Sequence, residues 1–402
     1  MLRDAFSTFV VKKLYDKMSV TFRAGEPSSG ELDFSNRELA LYIHFPFCDT
    51  ICKYCPFSRS ANHSSIDEYM NSMLAELELL HSSGKLINTT VSSLSFGGGT
   101  PSLIPADFLK KLLQRLSELL PNFDSIQKTM ECTPESITEE RLQLFHEVGI
   151  TRLSIGVQSL QSTVLNELGR KSSPELIRGK LSMIQNSWSG SWSCDLIYGF
   201  ESHTEEQFLK DIEELTSYSA DHISMFPLVN SDKNNKQSLT VKQFRTMKSM
   251  HREATILLKA IGFNAYSIED YSRSNSAELK YQKDVWSFPQ KDMLILGTGA
   301  FGISNSTQYR KTNNRNEYIQ QIRDGKFPVD RYLPIDPKRE AVARPLMGLH
   351  YNSLPKQPQM TLFTILKVTR IVKFTKNEVK LTEDGRFITS LLWAKIMIDR
   401  MS

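Results

Sequence analysis

Along the chain, short apolar runs alternate with longer stretches in which apolar residues recur at three-and-four spacing. The runs LALYIHF (39–45), VSSLSFGG (91–98), IQKTMEC (126–132), TRLSIGV (151–157), SWSCDLIYG (191–199) and DHISMFPL (221–228) predict strands. Between them, SIDEYMNSMLAELELLHSSG opens on Ser65 and closes on Gly84, and PADFLKKLLQRLSELLP gathers its leucines on one face. TEEQFLKDIEELTSYS begins at Thr204 with acids in its first turn, which suits the helix dipole. Each of these three predicts a helix. Strand followed by helix, repeated about six times, predicts an α/β fold with a parallel sheet and helices outside it, open or closed into a barrel. Ligands of such sheets gather at the carboxyl ends of the strands. The cysteine cluster, GGGTP and ECTPE each begin where a predicted strand ends.

The flanks read differently. Residues 20–38, VTFRAGEPSSGELDFSNRE, are polar with Gly, Pro and Ser and predict a surface linker. MLRDAFSTFVVKKLYDKMS before them is broken by Asp4, Lys12 and Lys13 and reads as an amphipathic helix rather than a signal peptide. Beyond about residue 330, DPKREAVARPLMGLHYNSL and TLFTILKVTRIV look helical, and VKFTKNEVKLTEDGRFITSLLWAKIMIDRM looks like a strand pair followed by a helix. The expected organisation is a helix and linker over 1–38, an α/β core over 39–330 and a small, mostly helical domain of winged-helix type over 331–402.

Charge narrows the function classes. The 402 residues carry 49 Lys+Arg against 45 Asp+Glu, a net charge of +4, with no basic run of five, so nothing argues for nucleic acid. No stretch approaches the ~20 apolar residues of a membrane span. Without an export signal the expected compartment is the reducing cytoplasm, where clustered cysteines hold metal or do redox work. Three of the five cysteines, Cys48, Cys52 and Cys55, fall within eight positions.

Their C-x3-C-x2-C spacing lets a tight loop turn three thiolates toward one centre. Thiolates are the ligands of iron–sulfur clusters, and three of them leave one iron of a four-iron cluster open. Zinc competes, with His44 or His63 as a fourth ligand. Cys132 and Cys194 lie inside predicted strands and read as small buried hydrophobes. His44, His203, His222 and His251 share no ligand-like spacing and read as structural or surface residues, and Trp286 as packing.

YIHFPFCDTICKYC resembles the cluster loop of radical S-adenosylmethionine (SAM) enzymes, and more narrowly that of the oxygen-independent coproporphyrinogen III dehydrogenase family. LSFGGGTPSLI, TMECTPESIT, GITRLSIGVQSL, CDLIYGF, DHISMFPL and LGTGAFGIS resemble further blocks in family order, over roughly residues 38–325. The resemblance implies a partial (β/α)6 radical SAM barrel, a 4Fe–4S cluster on Cys48, Cys52 and Cys55, and one or two molecules of SAM. One electron from the cluster would break a carbon–sulfur bond of SAM and give a 5′-deoxyadenosyl radical. SAM contacts are implied at Gly98, Gly99, Thr100, Glu131, Gln158, Arg170 and Asp195, and less specifically at Tyr42, Tyr54, Val229 and Ile303. A small-molecule substrate and an electron donor such as flavodoxin or ferredoxin complete the implied partners, and no catalytic residue is assigned.

Two positions depart from the family. Phe57 stands where the coproporphyrinogen dehydrogenase carries a further cysteine, and Phe301 where haem chaperones show a histidine. They turn the expectation toward transfer of a one-carbon unit from SAM to a small molecule, by methylation or cyclopropanation. Tetrapyrrole chemistry (coproporphyrinogen III decarboxylation or haem ring opening) or haem chaperoning is the alternative.

Overall fold

The computed structural model describes residues 31–55, 58–229, 240–287, 290–305, 307–334, 348–351, 353–355 and 371–401. The expected N-terminal helix, most of the two helical stretches expected over 336–354 and 361–372, and Phe57 lie outside them.

Six strands, β1 (Glu38–Phe45), β2 (Thr90–Gly98), β3 (Gln127–Cys132), β4 (Arg152–Gln158), β5 (Ser191–Tyr198) and β6 (His222–Pro227), pair in chain order and all in parallel. Their crossovers hold α1 (Ile66–Ser82), α2 (Ala106–Leu119), α3 (Glu139–Glu147), α4 (Ser162–Leu168), α5 (Pro174–Ser187), α6 (Glu205–Ser217) and α7 (Val241–Ala260). Local chemistry sets the helix ends. Thr204 with Gln207, and Thr240 with Gln243, form reciprocal capping boxes at the starts of α6 and α7. Beyond α1, Gly84 takes a left-handed φ of 73°, a conformation glycine adopts without a Cβ penalty.

The chain then returns across the barrel. β7 (Asn264–Ala265) and β8 (Asp270–Ser272) add antiparallel strands beside β6. α8 (Lys280–Trp286) crosses back to β2, where Asp284 accepts hydrogen bonds from Ser92 at 2.7 Å and Ser93 at 2.6 Å. β9 (Asp292–Leu296) joins β1 in parallel, and β10 (Phe301–Ser304), β11 (Thr307–Lys311) and β12 (Val329–Pro334) continue antiparallel, with α9 (Arg315–Arg323) between the last two. Among the described residues the sheet reads β12-β11-β10-β9-β1-β2-β3-β4-β5-β6-β8-β7. α8 packs against β1 and β2 and reaches the start of β3, where the Lys280 N–H donates to Gln127 at 2.8 Å.

Residues 31–38, inside the expected linker, are pinned to this core. Leu32 and Phe34 are buried, Phe34 meets Tyr309 edge-on at 6.3 Å, and the Asp33 N–H donates to Ser304 Oγ at 2.9 Å. Two leucine-sized anchors in a polar stretch were enough to seat it.

At the C-terminus, β13 (Ser353–Pro355), β14 (Val372–Phe374) and β15 (Glu378–Leu381) form an antiparallel sheet in the order β13-β15-β14, followed by α10 (Glu383–Met401). The strand pair and helix match the sequence pattern, while β13 falls in a stretch read as helical. α10 docks on the core: Phe387 packs on Phe244 and His251 at 5.3 and 5.7 Å, and Trp393 meets Trp286 edge-on at 4.8 Å. Trp286 is thus a packing residue. Among the described residues no helix is long and apolar enough to cross a membrane.

The same interface buries Glu269, whose Oε1 accepts from Ser390 of α10 at 2.8 Å. Burial, and then Asp270 beside it, push its carboxyl from 4.5 up to about 8. A carboxyl raised by folding contributes stability that is complete below its unfolded value and is lost as pH rises through the folded one. The melting temperature of the metal-free protein is therefore expected to fall from about pH 4.5, the unfolded value, to about pH 8, the folded one, and to level off above it. Glu269→Gln is expected to flatten that fall; parallel slopes in the two proteins would refute the assignment.

A second buried charge pair lies at the seam of α1 and β11. Glu76 and Lys311 are both fully buried and ion-paired, and Glu76 Oε2 also accepts from the Gly297 N–H at 3.0 Å and the Tyr318 hydroxyl at 2.8 Å. Burial lowers the Lys311 ammonium to about 7. This pair fixes the loop between β9 and β10. Tyr69 of α1 fixes it again, donating to the His44 carbonyl at 2.8 Å and accepting from the Thr298 N–H at 3.0 Å.

Candidate functional site

β1 ends at Phe45, and the cysteine loop begins there. Cys48 is buried and Cys52 and Cys55 are half-buried; all five cysteines of the chain are free thiols. The backbone folds the loop tightly: the Cys48 N–H donates to Ser60 at 3.0 Å, the Ser60 N–H to Pro46 at 2.8 Å, and the Lys53 N–H to Leu168 at 3.1 Å. Side chains brace it, with Arg59 donating to the Cys52 carbonyl at 3.2 Å and His63 Nε2 lying 3.1 Å from the Cys48 carbonyl oxygen. Burial raises the Cys48 thiol, and a hydrogen bond with Thr100 opposes this.

Among the described residues no three His, Cys, Asp or Glu side chains are drawn around a single-ion point. A structural zinc site closes four ligands on one ion. Thiolates spaced along a loop suit a cluster, where each takes its own iron. His63 therefore braces the loop backbone.

The triple glycine is pressed against this loop. The Gly99 N–H donates to Phe45 and the Thr100 N–H to Phe47, both at 2.8 Å. A Cβ on Gly99 would lie 2.5 Å from the Phe47 carbonyl oxygen, and one on Gly97 would lie 2.6 Å from the Tyr42 hydroxyl and 2.8 Å from Glu131 Oε1. Gly98 has φ 113°, and a Cβ there would meet the His44 ring at 2.7 Å. Glycine at these positions lets the turn pack this closely on the cysteine loop, Tyr42, His44 and Glu131, so that its backbone lies next to the loop that would carry a cluster.

The strand register carries polar residues inward from the glycine turn. Gly97 pairs with His44, and Glu131, Ser154 and Ser193 stand on β3, β4 and β5 in one continuous register. Glu131 is accessible from the barrel interior yet crowded by protein. Desolvation and then the Asp195 charge raise its carboxyl to about 8, against a hydrogen bond from the Gly98 N–H. Asp195 is also raised by burial, opposed by the Ser154 hydroxyl, which donates to Oδ2 at 2.7 Å. Tyr42 stacks on Tyr281 of α8 at 5.8 Å and sits beside Glu131.

Arg170 reaches the cluster loop, donating to the Tyr54 hydroxyl at 3.1 Å, with its Nε unpartnered. Tyr54 is held above its usual range by burial, which Arg170 partly offsets. Gln158, buried, ends β4 with a left-handed φ of 69°. Val229, half-buried, lies two residues beyond β6, and Ile303 is buried in β10; they stand on the two flanks of the group formed by the other candidates. Cys132 and Cys194 are buried in their strands, away from the loop.

Sequence reasoning missed several members. His44 is buried against the glycine turn, with Nε2 unpartnered and burial lowering its ring to about 4. Its signal was the two-residue period from Tyr42. The period-two serines Ser154, Ser193 and Ser224, inside otherwise apolar strands, were a second unread signal. Tyr281, far away in sequence, carried none.

A family model described as the radical SAM superfamily matches residues 42–215. The haem chaperone HemW of Bacillus subtilis is 28% identical over 295 residues, covering 71% of this chain and 76% of its own. The oxygen-independent coproporphyrinogen III oxidase of Paracoccus denitrificans is 25% identical over 73% of this chain and 68% of its own. Among solved structures, the Escherichia coli coproporphyrinogen III oxidase HemN superposes with a TM-score of 0.74 at 19% identity, covering 90% of each chain. That likeness shows the mixed α/β radical SAM fold.

These relatives overturn the expectation of one-carbon transfer by methylation or cyclopropanation: they carry haem-chaperone and coproporphyrinogen-oxidase names, not methyltransferase ones. The reason is that the expectation rested on two single departures, Phe57 and Phe301, whereas the blocks shared with the family span most of the barrel wall.

Proposed function

We propose, for a chain that belongs to the radical SAM family of oxygen-independent coproporphyrinogen III oxidase and its relatives, a tetrapyrrole-directed radical SAM function. The observation that carries it is the junction of the cysteine loop with the glycine turn at the mouth of a polar barrel interior. Cys48, Cys52 and Cys55 would hold a 4Fe–4S cluster. When bound and reduced, such a cluster supplies the electron that splits a carbon–sulfur bond of SAM.

The chain's own residues do the rest. The Gly97–Thr100 turn, packed against the cysteine loop, would set its backbone beside the methionyl end of SAM. Arg170, steadied by Tyr54, offers a guanidinium for the SAM carboxylate. Glu131 holds a proton on its carboxyl in the free protein and accepts hydrogen bonds as a carboxylate once a cation neighbours it. Asp195, Gln158 and Tyr42 line the remaining wall, and the stacked Tyr42–Tyr281 pair excludes water. The tetrapyrrole is haem in the first reading, because the haem chaperone is the more identical relative; oxidative decarboxylation of coproporphyrinogen III is the second, favoured by the oxidase. An electron donor of flavodoxin or ferredoxin type supplies the reductant.

The test is anaerobic reconstitution with iron and sulfide, followed by SAM and dithionite, with haem titrated in parallel. We expect 5′-deoxyadenosine above the unreduced control and a shifted Soret band that saturates stoichiometrically. Coproporphyrinogen consumption with release of carbon dioxide would select the second reading. Absence of both haem binding and porphyrinogen turnover would sink the tetrapyrrole reading, and equilibrium dialysis with labelled SAM would count one or two bound molecules.

A further inference from the structure

Asp211, in the second turn of α6, is buried, and the site described above does not use it. Its carboxylate collects three donors from one short segment. Oδ2 accepts from the Ser159 hydroxyl at 2.6 Å and from the Leu160 N–H at 3.0 Å, and Oδ1 accepts from the Gln161 side-chain amide at 2.6 Å. The Gln161 N–H donates in turn to Ser159 Oγ at 3.0 Å. His203, from the loop after β5, is buried with its Nε2 3.6 Å from Asp211 Oδ2. Hydrogen bonds to a charged acceptor are the strong ones, and a buried carboxylate without them is costly. Asp211 therefore ties residues 159–161 to α6.

This segment follows Gln158 directly, and the Gln158 backbone is unusual in two respects. β4 holds its register with β5 as far as Ile155, opposite Cys194, and then shifts so that Gln158 pairs with Leu196. Such a bulge re-aims the side chains beyond it. The Ser159 N–H then donates back to the Val157 carbonyl at 2.9 Å, closing a three-residue turn on Gln158 with φ 69° at its centre. Three-residue turns with positive φ are the rare, strained kind. A residue other than glycine stays in one only where its surroundings hold it there. The Gln158 side chain lies back over β4: a Cβ on Gly156 would stand 2.8 Å from Gln158 Nε2 and 3.3 Å from Arg170 Nη2. Gln158 and Arg170 thus share one glycine floor, and Arg170 reaches on to the Tyr54 hydroxyl of the cysteine loop at 3.1 Å.

We propose that Asp211 is a positioning residue for the cofactor site: by holding residues 159–161 it locks Gln158 in this turn and sets the Gln158 amide beside Arg170. Asp211 works through Gln158 and makes no contact of its own with SAM. The proposal rests on the reading of Gln158 as a SAM contact.

The test is equilibrium dialysis of labelled SAM against the anaerobically reconstituted full chain. The proteins are the wild type, Asp211→Ala, Gln158→Ala, the double variant and Thr204→Ala. Asp211→Ala leaves three donors without their acceptor and is expected to bind SAM about tenfold more weakly while the cluster absorption persists. Gln158→Ala is expected to lose about as much, and the double variant no more than either single one. Thr204→Ala removes the capping box of the same helix and leaves the Asp211 contacts in place. It is expected to lower the melting temperature and keep wild-type SAM affinity. Wild-type affinity in Asp211→Ala, losses that multiply in full in the double variant, or an equal loss in Thr204→Ala would each overturn the proposal. If Asp211→Ala fails to fold, judged by circular dichroism, Ser159→Ala decides. It removes two hydrogen bonds of the segment and is expected to weaken SAM binding about threefold; unchanged affinity overturns the proposal. Wild-type affinity in Gln158→Ala overturns the reading of Gln158 as a SAM contact, and a wild-type protein that binds no SAM overturns the cofactor reading itself, so the failures are told apart.

Discussion

Replacing Cys48, Cys52 or Cys55 by Ala is expected to abolish the broad visible absorption of a reconstituted iron–sulfur cluster and, with it, all 5′-deoxyadenosine formation. Each of the three would supply one thiolate to one iron, so the loss of any one leaves the cluster a ligand short. Cys132→Ala and Cys194→Ala are the controls. Both thiols are buried in β3 and β5, and burial raises both well away from the thiolate form a metal needs. They should retain the absorption and lose only stability, by roughly 1–2 kcal/mol for a small side chain removed from a packed strand. Iron and sulfide contents matching the wild type in any of the three loop variants would remove the basis for the assigned chemistry.

Gly99→Ala is the second large effect, and it separates the cradle from the cluster. The added methyl would stand 2.5 Å from the Phe47 carbonyl oxygen, a backbone atom that cannot swing aside. Either the cysteine loop or the Gly97–Thr100 turn must shift. A displacement near 1 Å at a reacting centre can cost about a hundredfold. SAM affinity and cleavage are expected to fall by that order while the cluster absorption persists. Gly179, within α5, is the matched control, since a Cβ there meets nothing within 4 Å. Gly179→Ala should leave SAM binding unchanged and raise stability by about 0.5–1 kcal/mol through helix propensity. Equal SAM affinity in Gly99→Ala and the wild type would show that the glycines are a turn and not a ligand cradle.

The barrel wall was legible in the sequence because its strands are buried runs bounded by turns, so each of the six lies within a residue or two of its expected limits. β9 to β12 were not legible. DMLIL and FGIS are five and four residues long, and nothing local says that the first returns to pair with β1. The cysteines and glycines announced themselves by spacing and by composition. Glu131 and Asp195 drew attention as charges inside apolar runs. The substrate was misread because two departures at single positions were weighed as if they described a pocket.

The Glu76–Lys311 pair carries a consequence for how such a chain can diverge. Losing either member strands the other charge in a fully buried site, at about 3–5 kcal/mol, a large share of the few kcal/mol that keep a domain folded. Substituting both together by well-packed apolar residues carries no such penalty. The two positions therefore sit on either side of a fitness valley that single steps do not cross, and the seam between α1 and β11 is held in place by mutational history as well as by its hydrogen bonds.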